Sequence, residues 1–485
     1  MAMVVKNNSS ATNTLNQLNK NVKSKAKAMA QLASGQRINS AADDASGLSI
    51  SEKMRVQIRS LDQDNRNTEN GNALLKVAEG AVQSNIEILR TLKEKLINAA
   101  NDTNTEDDRE TLQREFEQMC DQIDHNASMT YNGKILMTGQ YNNYVISDPT
   151  EGTTTTLTNS SFDQSTTGST FLTDLKDFNG TNLGIMSSDT ITVSYVKQGT
   201  TYVQSFPVYD EDAFNNGERE YPTIQLKELL VNGAGGDVTI SEGKQIGNDP
   251  MTGDPIYDRT WLGIDQYGND VYTPDKSNAI SYVAGYPGTE GQISGLTIAV
   301  TDNKGNLRHT ANTVLDDFKE TIRAQDPSPD NAIVLQTGTK SNQAVKIGLT
   351  DMRSYALGLK SSAGGYLNIG GQKKSSTGAY EGLNLSYVAD SQQQANAAIN
   401  VVETALQKCL DQITEIGAVS SRLGYTSANI TTASENTQAS ESVIRDADMA
   451  ASMTEYTKMN VLEQASQSML AQANQNSSSV LSLLQ

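Results

Sequence analysis

The strongest constraint on the fold comes from apolar residues that recur at steps of three and four near both ends of the chain. Within positions 1–40 the largest members of this stripe are Leu15, Leu18, Val22 and Met29. Within positions 446–485 a similar spacing links Leu462, Ala465 and Met469. Such a stripe predicts one amphipathic helix at each end, but an isolated helix with so little apolar surface is marginal in water. We therefore expect both arms to be completed by neighbouring copies of the chain.

Longer helical patterns lie inward of the two arms. On the C-terminal side the apolar residues follow steps that alternate strictly between four and three: Val402, Leu406, Cys409, Ile413, Ile416. This alternation is typical of a coiled-coil seam rather than of a globular helix face. On the N-terminal side the best pattern covers residues 75–99, and Thr105 followed by Asp108 predicts the cap of a further helix.

The middle of the chain has a different composition. Residues 144–331 hold all nine prolines, and β-branched runs at 190–196 and 297–300 predict strands. Short helices are also expected at 222–231 and 312–324, and a hairpin at 333–349. The predicted fold class is mainly α with a β-rich insertion. An antiparallel bundle and coiled coil of N- and C-terminal helices carries a projecting β-rich outer domain.

These patterns divide the chain into five segments. Residues 1–45 are the predicted N-terminal arm of an inner coiled coil, and 46–143 the N-terminal helices of an inner bundle. Residues 144–331 are the variable outer part, 332–445 the hairpin and C-terminal helix of the bundle, and 446–485 the C-terminal arm.

The charge distribution excludes some partners. A net charge of −19 argues against nucleic-acid binding, and no apolar run is long enough to span a membrane. The first residues lack the apolar core of a cleaved signal peptide. Positions 1–40 carry six basic and no acidic side chains, whereas positions 446–485 carry four acids and one lysine. Opposite charge favours pairing of the two arms.

No catalytic, cofactor or metal motif occurs in the sequence. The two histidines, His125 and His309, lie far apart, and no nucleophile–base motif accompanies them. Cys120 precedes His125 by five residues, which is a poor ligand spacing on a helix. We therefore expect neither an enzyme nor a cofactor. Cys120 and Cys409 both fall in helical patterns; two buried free thiols are the default expectation, and a disulfide is the alternative.

Both ends resemble bacterial flagellin. At the N-terminal end the resemblance lies in residues 32–47, 57–61, 78–81 and 131–133, with Ala-Ala-Asp-Asp-Ala-Ser-Gly at 41–47. At the C-terminal end it lies in residues 445–450, 470–475 and 480–484, beginning with Arg-Asp-Ala-Asp-Met-Ala. Residues 144–331 are not covered and correspond to the segment that varies among flagellins.

The resemblance implies a structural function. Flagellins polymerise into the helical filament that drives motility, with the arms lining an inner tube, the bundle forming an outer tube and the variable part facing solvent. The implied partners are further copies of the chain, the filament cap, the hook-junction proteins and an export chaperone on the C-terminal arm. The resemblance also implies an extracellular filament reached unfolded through the flagellar type III apparatus, without a cleaved signal peptide. The alternatives are a hook–filament junction protein, which shares end motifs, or a flagellin with an enzymatic outer domain.

The resemblance extends to a stretch that an animal Toll-like receptor binds in many flagellins. The matching positions are Leu92, Lys93 and Glu94, with Glu115 on the next helix. The family stretch reads Gln-Arg-Val-Arg-Glu-Leu, and here Thr91 replaces an arginine and Lys95 replaces a leucine. Because lysine cannot make the planar two-pronged contact of arginine, we expect weak recognition.

Overall fold

The computed structural model describes residues 8–145, 152–163, 165–209, 221, 223–231, 238–241, 245–248, 255–257, 261–265, 268–272, 279–361 and 391–483. Residues 1–7 of the predicted N-terminal arm and 362–390 of the predicted bundle segment lie outside these ranges. The helices within them are α1 (Ser9–Ser34), α2 (Ala45–Ala99), α3 (Glu106–Ala127), α4 (Glu228–Val231), α5 (His309–Leu315), α6 (Ser391–Arg445) and α7 (Met449–Leu483).

The strands of the described ranges are short and antiparallel. They are β1 (Thr130–Tyr131), β2 (Lys134–Ile135), β3 (Thr156–Asn159), β4 (Thr190–Lys197), β5 (Thr200–Pro207), β6 (Val238–Ser241), β7 (Gln245–Asn248), β8 (Pro255–Tyr257), β9 (Trp261–Ile264), β10 (Asp270–Tyr272), β11 (Ile280–Ala284), β12 (Ile293–Thr301), β13 (Lys319–Ile322), β14 (Ile333–Gln336) and β15 (Ala344–Ile347). Helical ends around a β-containing insertion confirm the predicted fold class.

The chain divides into two units. The first comprises Met1–Asn70, Gln336–Ala344 and Leu423–Gln485, and the second comprises Gly71–Leu335 and Val345–Arg422. In the first unit α1 and α7 run antiparallel. Asn8 at the start of α1 donates to Ala473 O at 3.2 Å, whereas at its end the Ala447 amide donates to Gly35 O at 2.9 Å. The helices near the two ends of the chain therefore pair, as the apolar patterns predict.

The helices of the second unit share an aliphatic core. Side chains at the predicted spacing are fully or almost fully buried: Leu75, Leu89, Leu92 and Leu96 on α2, Phe116 and Ile123 on α3, and Val402, Cys409 and Ile416 on α6. Cys120, which lies beside the apolar line of α3, is fully buried as well. The capping box that starts α3 is confirmed, because the Thr105 amide donates to Asp108 Oδ2 at 3.0 Å and the Asp108 amide donates back to Thr105 Oγ1 at 3.3 Å. The hydrogen bonds from Thr105 lower the pKa of Asp108.

The β-rich part of the second unit contains two larger sheets. One has the strand order β12-β4-β5, and the other has the order β13-β3-β11-β6. Gln198 and Gly199 join β4 to β5 with φ values of 51° and 71°, the left-handed pair that a tight two-residue hairpin requires. Between the sheets lies a common apolar core, within which the Tyr282 hydroxyl donates to Leu226 O at 2.9 Å.

Two local predictions in the middle of the chain are wrong in part. The helix expected at 312–324 ends at Leu315, and the following residues form β13, which pairs with β3 through Lys319 and Thr158. The helix expected at 222–231 is reduced to α4 at its C-terminal end. In contrast, the hairpin expected at 333–349 is confirmed as β14 and β15.

Among the described helices, none combines the length with the apolar character that a membrane-spanning segment needs.

Candidate functional site

The apolar stripe of α1 faces outward from the isolated chain. Leu15, Val22 and Met29 lie seven residues apart on one line and are 44%, 43% and 59% exposed. Leu18 is half-buried instead. Three large apolar side chains in line and open to solvent are costly for a lone helix, and such a surface typically marks a contact with another molecule.

The seam between α1 and α7 is built from smaller and more polar residues. Asn21 and Ala28 are the buried residues of α1. The side-chain amide of Asn21 donates from Nδ2 to Ser466 Oγ at 2.8 Å and to Leu462 O at 3.4 Å. A buried polar contact of this kind favours one register of two helices, because a shifted helix deprives the Asn21 side-chain amide of its acceptors on α7. The sequence signal for this seam was the heptad spacing of Thr14, Asn21 and Ala28, which apolarity alone does not reveal.

The outward face of α7 is also apolar. Leu462, Ala465 and Met469 are all exposed, Met469 at 63% of its surface, and Val461 is exposed beside them. Near the end of the described helix, Ala473 is buried towards α1. Each arm therefore places small and polar residues towards its partner arm and a line of large apolar residues towards solvent.

Charged contacts reinforce the pairing of the arms. Lys25 Nζ lies 3.0 Å from Glu463 Oε2 and donates to Asn460 Oδ1 at 3.0 Å. The same ammonium lies 5.9 Å from the centre of the Tyr456 ring, which adds a cation–π contact. The opposite charges of the two ends therefore meet in an ion pair.

The stretch of resemblance at 32–47 meets the one at 445–450 through Arg445. This buried guanidinium donates to Glu52 Oε1 at 2.6 Å, to Ser51 Oγ at 3.0 Å and to Gln36 Oε1 at 3.1 Å. The hydrogen bond from Arg445 lowers the pKa of Glu52. The Arg37 amide also donates to Arg445 O at 2.7 Å. Motif residues far apart in sequence thus lock the loop after α1 to the junction between α6 and α7.

The predicted seam of α6 is partly exposed. Val402, Cys409 and Ile416 are fully buried, whereas Leu406 and Ile413 are half-buried. The second buried line on this helix runs through Ala405 and Gln412. The alternation of steps of four and three predicted the helix and one of its two buried lines. It missed the second line, because residues on either side of that line recur at similar steps.

Both cysteines are free thiols in the core of the second unit. Burial raises the pKa of Cys120 and raises the pKa of Cys409 to about 12. Cys409 Sγ contacts Met352 Sδ at 4.0 Å. Over the ranges that the structure describes, no group of three or more His, Cys, Asp or Glu side chains is placed to hold a metal ion.

The four positions of the receptor stretch differ in accessibility. Leu92 is fully buried in the helical core. Lys93 forms an ion pair with Glu403 on α6, and Lys95 forms one with Glu115 at 3.1 Å. Glu94 is exposed. Two of the charged groups therefore already have partners within the chain.

Two family profiles match the helical ends. The bacterial flagellin N-terminal helical region matches residues 5–142, and the bacterial flagellin C-terminal helical region matches residues 399–484. A flagellin of Clostridium tyrobutyricum is 29% identical over 474 residues, which are 98% of this chain and 99% of the relative. A flagellin of Salmonella typhimurium is 28% identical over 531 aligned residues, with 100% of both chains covered.

Solved structures of flagellar proteins also resemble the chain at low identity. FliC from Burkholderia pseudomallei is 16% identical with a TM-score of 0.23, covering 73% of this chain and 99% of that one. The flagellar junction protein FlgL from Legionella pneumophila is 12% identical with a TM-score of 0.28, covering 77% and 99%.

The paired helical ends, the insertion between them and the profile matches define a structural protein of the bacterial flagellum. The chain belongs to the flagellin family.

Proposed function

We propose that the chain is the structural subunit that polymerises into the helical flagellar filament used for motility. The observation that supports this is the outward apolar stripe on each paired arm, formed by Leu15, Val22 and Met29 on α1 and by Leu462, Ala465 and Met469 on α7. Burying such stripes against neighbouring copies stabilises an assembly. Identical contacts that do not close into a ring produce an open helix.

In this proposal the segments have distinct places in the filament. Residues 1–45 and 446–485 form the inner coiled coil, 46–143 and 332–445 form the surrounding bundle, and 144–331 face solvent. The seam residues of α6, including Leu406 and Ile413, complete contacts of the bundle. The subunit has a structural rather than a catalytic role.

We also propose the route and partners that flagellins share. The chain leaves the cell unfolded through the flagellar type III apparatus and works as part of the extracellular filament. An export chaperone holds the C-terminal arm beforehand. The filament cap and hook-junction proteins are the further partners.

Deletion of residues 446–485 tests the assembly function. The truncated chain should stay soluble and monomeric, because the assembly stripe of α7 is removed. The stripe of α1 also loses the partner helix that positions it for assembly. Electron microscopy under polymerising conditions should show filaments for the full chain and none for the truncation. Circular dichroism should show that the second unit remains folded. Filaments of normal length from the truncated chain would refute the proposal.

Recognition by the Toll-like receptor should be weak. Lys93 and Glu115 are held in ion pairs, and the arginine that supplies a two-pronged contact elsewhere is absent at Thr91. Losing one charged hydrogen-bonded contact lowers affinity about tenfold or more. In a reporter-cell assay, the half-maximal concentration should exceed that of a receptor-active flagellin by this factor. The double variant Thr91→Arg, Lys95→Leu should recover much of the response, and equal potency of the unaltered chain would contradict the prediction.

A further inference from the structure

A cavity in the second unit lies where the β-rich part meets the helical part. It has a volume of about 320 Å³ and is walled by the turn at 138–142, by residues 323–331 and by residues 350–356, with Lys408 of α6 also lining it. A space of this size is at the lower end of the range that small-molecule sites occupy in proteins. Apolar groups line part of it, among them Ala324, Pro327 and Met352.

The distinctive group of this cavity is the buried ammonium of Lys408. The residue is 5% exposed, and its Nζ donates to Ala356 O at 3.3 Å. Within the described ranges, no carboxylate oxygen lies within the 4.0 Å of Nζ that defines an ion pair. A buried lysine without a directly paired carboxylate is costly, because its charge has lost water and gained a carbonyl dipole and only the longer-range attraction of Glu320.

The other charged groups of the cavity already have partners. Arg353 Nε lies 3.0 Å from Asp351 Oδ2, and Arg323 Nη2 lies 2.9 Å from Asp411 Oδ2. Asp326 accepts hydrogen bonds from the amide and hydroxyl of Thr289. Among these three described cations, Lys408 is the one without a carboxylate in direct contact. The Thr138 hydroxyl oxygen, also in the lining, is buried without a hydrogen-bond partner in the described part of the chain.

We propose that this cavity binds a small monocarboxylate with a short apolar body, such as a short-chain fatty acid. The carboxylate pairs with the Lys408 ammonium and accepts from the Thr138 hydroxyl, and the carbon chain lies against Ala324, Pro327 and Met352. The bound anion supplies the direct ion pair that Lys408 lacks, and charge-assisted hydrogen bonds of this kind are among the stronger ones in proteins. A short chain fits the volume of about 320 Å³.

Binding should be coupled to proton uptake. Burial lowers the pKa of Lys408, the neighbouring Glu320 of β13 opposes this shift, and Arg323 adds to it. An anion beside Nζ favours the charged amine, so binding takes up a proton at any pH at which the free amine is partly deprotonated. Affinity should therefore fall as rising pH removes the proton from the free Lys408 amine.

The test is calorimetric titration of butyrate into the full-length chain in dilute solution, over a series of alkaline pH values and in two buffers of different ionisation enthalpy. We expect a dissociation constant of roughly millimolar, the usual range for so small a ligand, and an observed enthalpy that differs between the buffers by the heat of proton uptake. Butyramide, which has the same shape without the charge, should bind at least about tenfold more weakly. Absence of butyrate binding at concentrations well above millimolar would overturn the proposal.

Two variants identify the site. Lys408→Met keeps the apolar stem and should abolish both binding and proton uptake, whereas Lys304→Met, at an exposed loop lysine, should leave both unchanged. Ser328→Leu narrows the cavity from the 323–331 wall without touching the charge, and should also block binding. Circular dichroism verifies the fold of each variant. Unaltered butyrate affinity in Lys408→Met or in Ser328→Leu would place the ligand elsewhere and refute the assignment.

Discussion

Replacing Leu15, Val22 and Met29 together by glutamine should abolish filament formation and leave the monomer folded. About half of each side chain is open to solvent in the lone chain. Burying that half in the filament stabilises it by roughly 1 kcal/mol per residue, or about 3 kcal/mol per subunit. Losing this stabilisation should raise the critical concentration for polymerisation at least about a hundredfold. Three glutamine amides left without partners in a buried contact raise it further.

The matched control moves the same change to the insertion. Phe178, Met186 and Leu307 are as exposed as the three α1 residues but belong to the part that faces solvent in the proposed filament. Their replacement by glutamine should leave the critical concentration unchanged. Sedimentation of polymer against subunit concentration measures it, and circular dichroism follows the fold. If both triple variants polymerise equally well, the stripe on α1 is not an assembly surface.

The sequence allowed the helical ends to be predicted because their apolar spacing is local. Periods of three and four identify a helix and one apolar side from a few turns of chain. They do not say which side faces which partner. On α1 the largest apolar residues point away from α7, and the contact between the arms uses Asn21, Lys25 and Ala28. A polar seam of this kind is visible only when the second helix is present.

The β-rich part was predicted less well for a related reason. The residues of β13 have no strong local preference for a strand. They adopt one because β3, which lies far earlier in the chain, offers hydrogen bonds to Lys319 and Glu320. Tertiary pairing overrides local propensity in such cases. The Lys408 cavity was missed as well, because a lysine in a helical pattern reads as a solvated residue until its burial is known.

Gly295→Ala should destabilise the second unit strongly. Gly295 lies in β12 with φ of +66°, at the irregularity in the pairing of β12 with β4. A Cβ at this position would lie 2.6 Å from Ala397 O and 2.6 Å from Val401 Cγ2 on α6. The left-handed backbone conformation costs an alanine about 1 kcal/mol. A methyl group this close to a backbone oxygen also forces either the strand or the helix to move. We expect a total loss of about 3 kcal/mol or more.

Gly305→Ala separates the two contributions. Gly305 has φ of +82°, and nothing lies within 4 Å of the position its Cβ would take. This variant should lose only the backbone cost of about 1 kcal/mol. Urea unfolding is followed by the fluorescence of Trp261, the single tryptophan, which lies on β9 in the β-rich part. Because both variants carry the same backbone cost, the difference between them measures how closely β12 is held against α6. Equal losses in the two variants would show that this close approach contributes nothing to the stability of the unit.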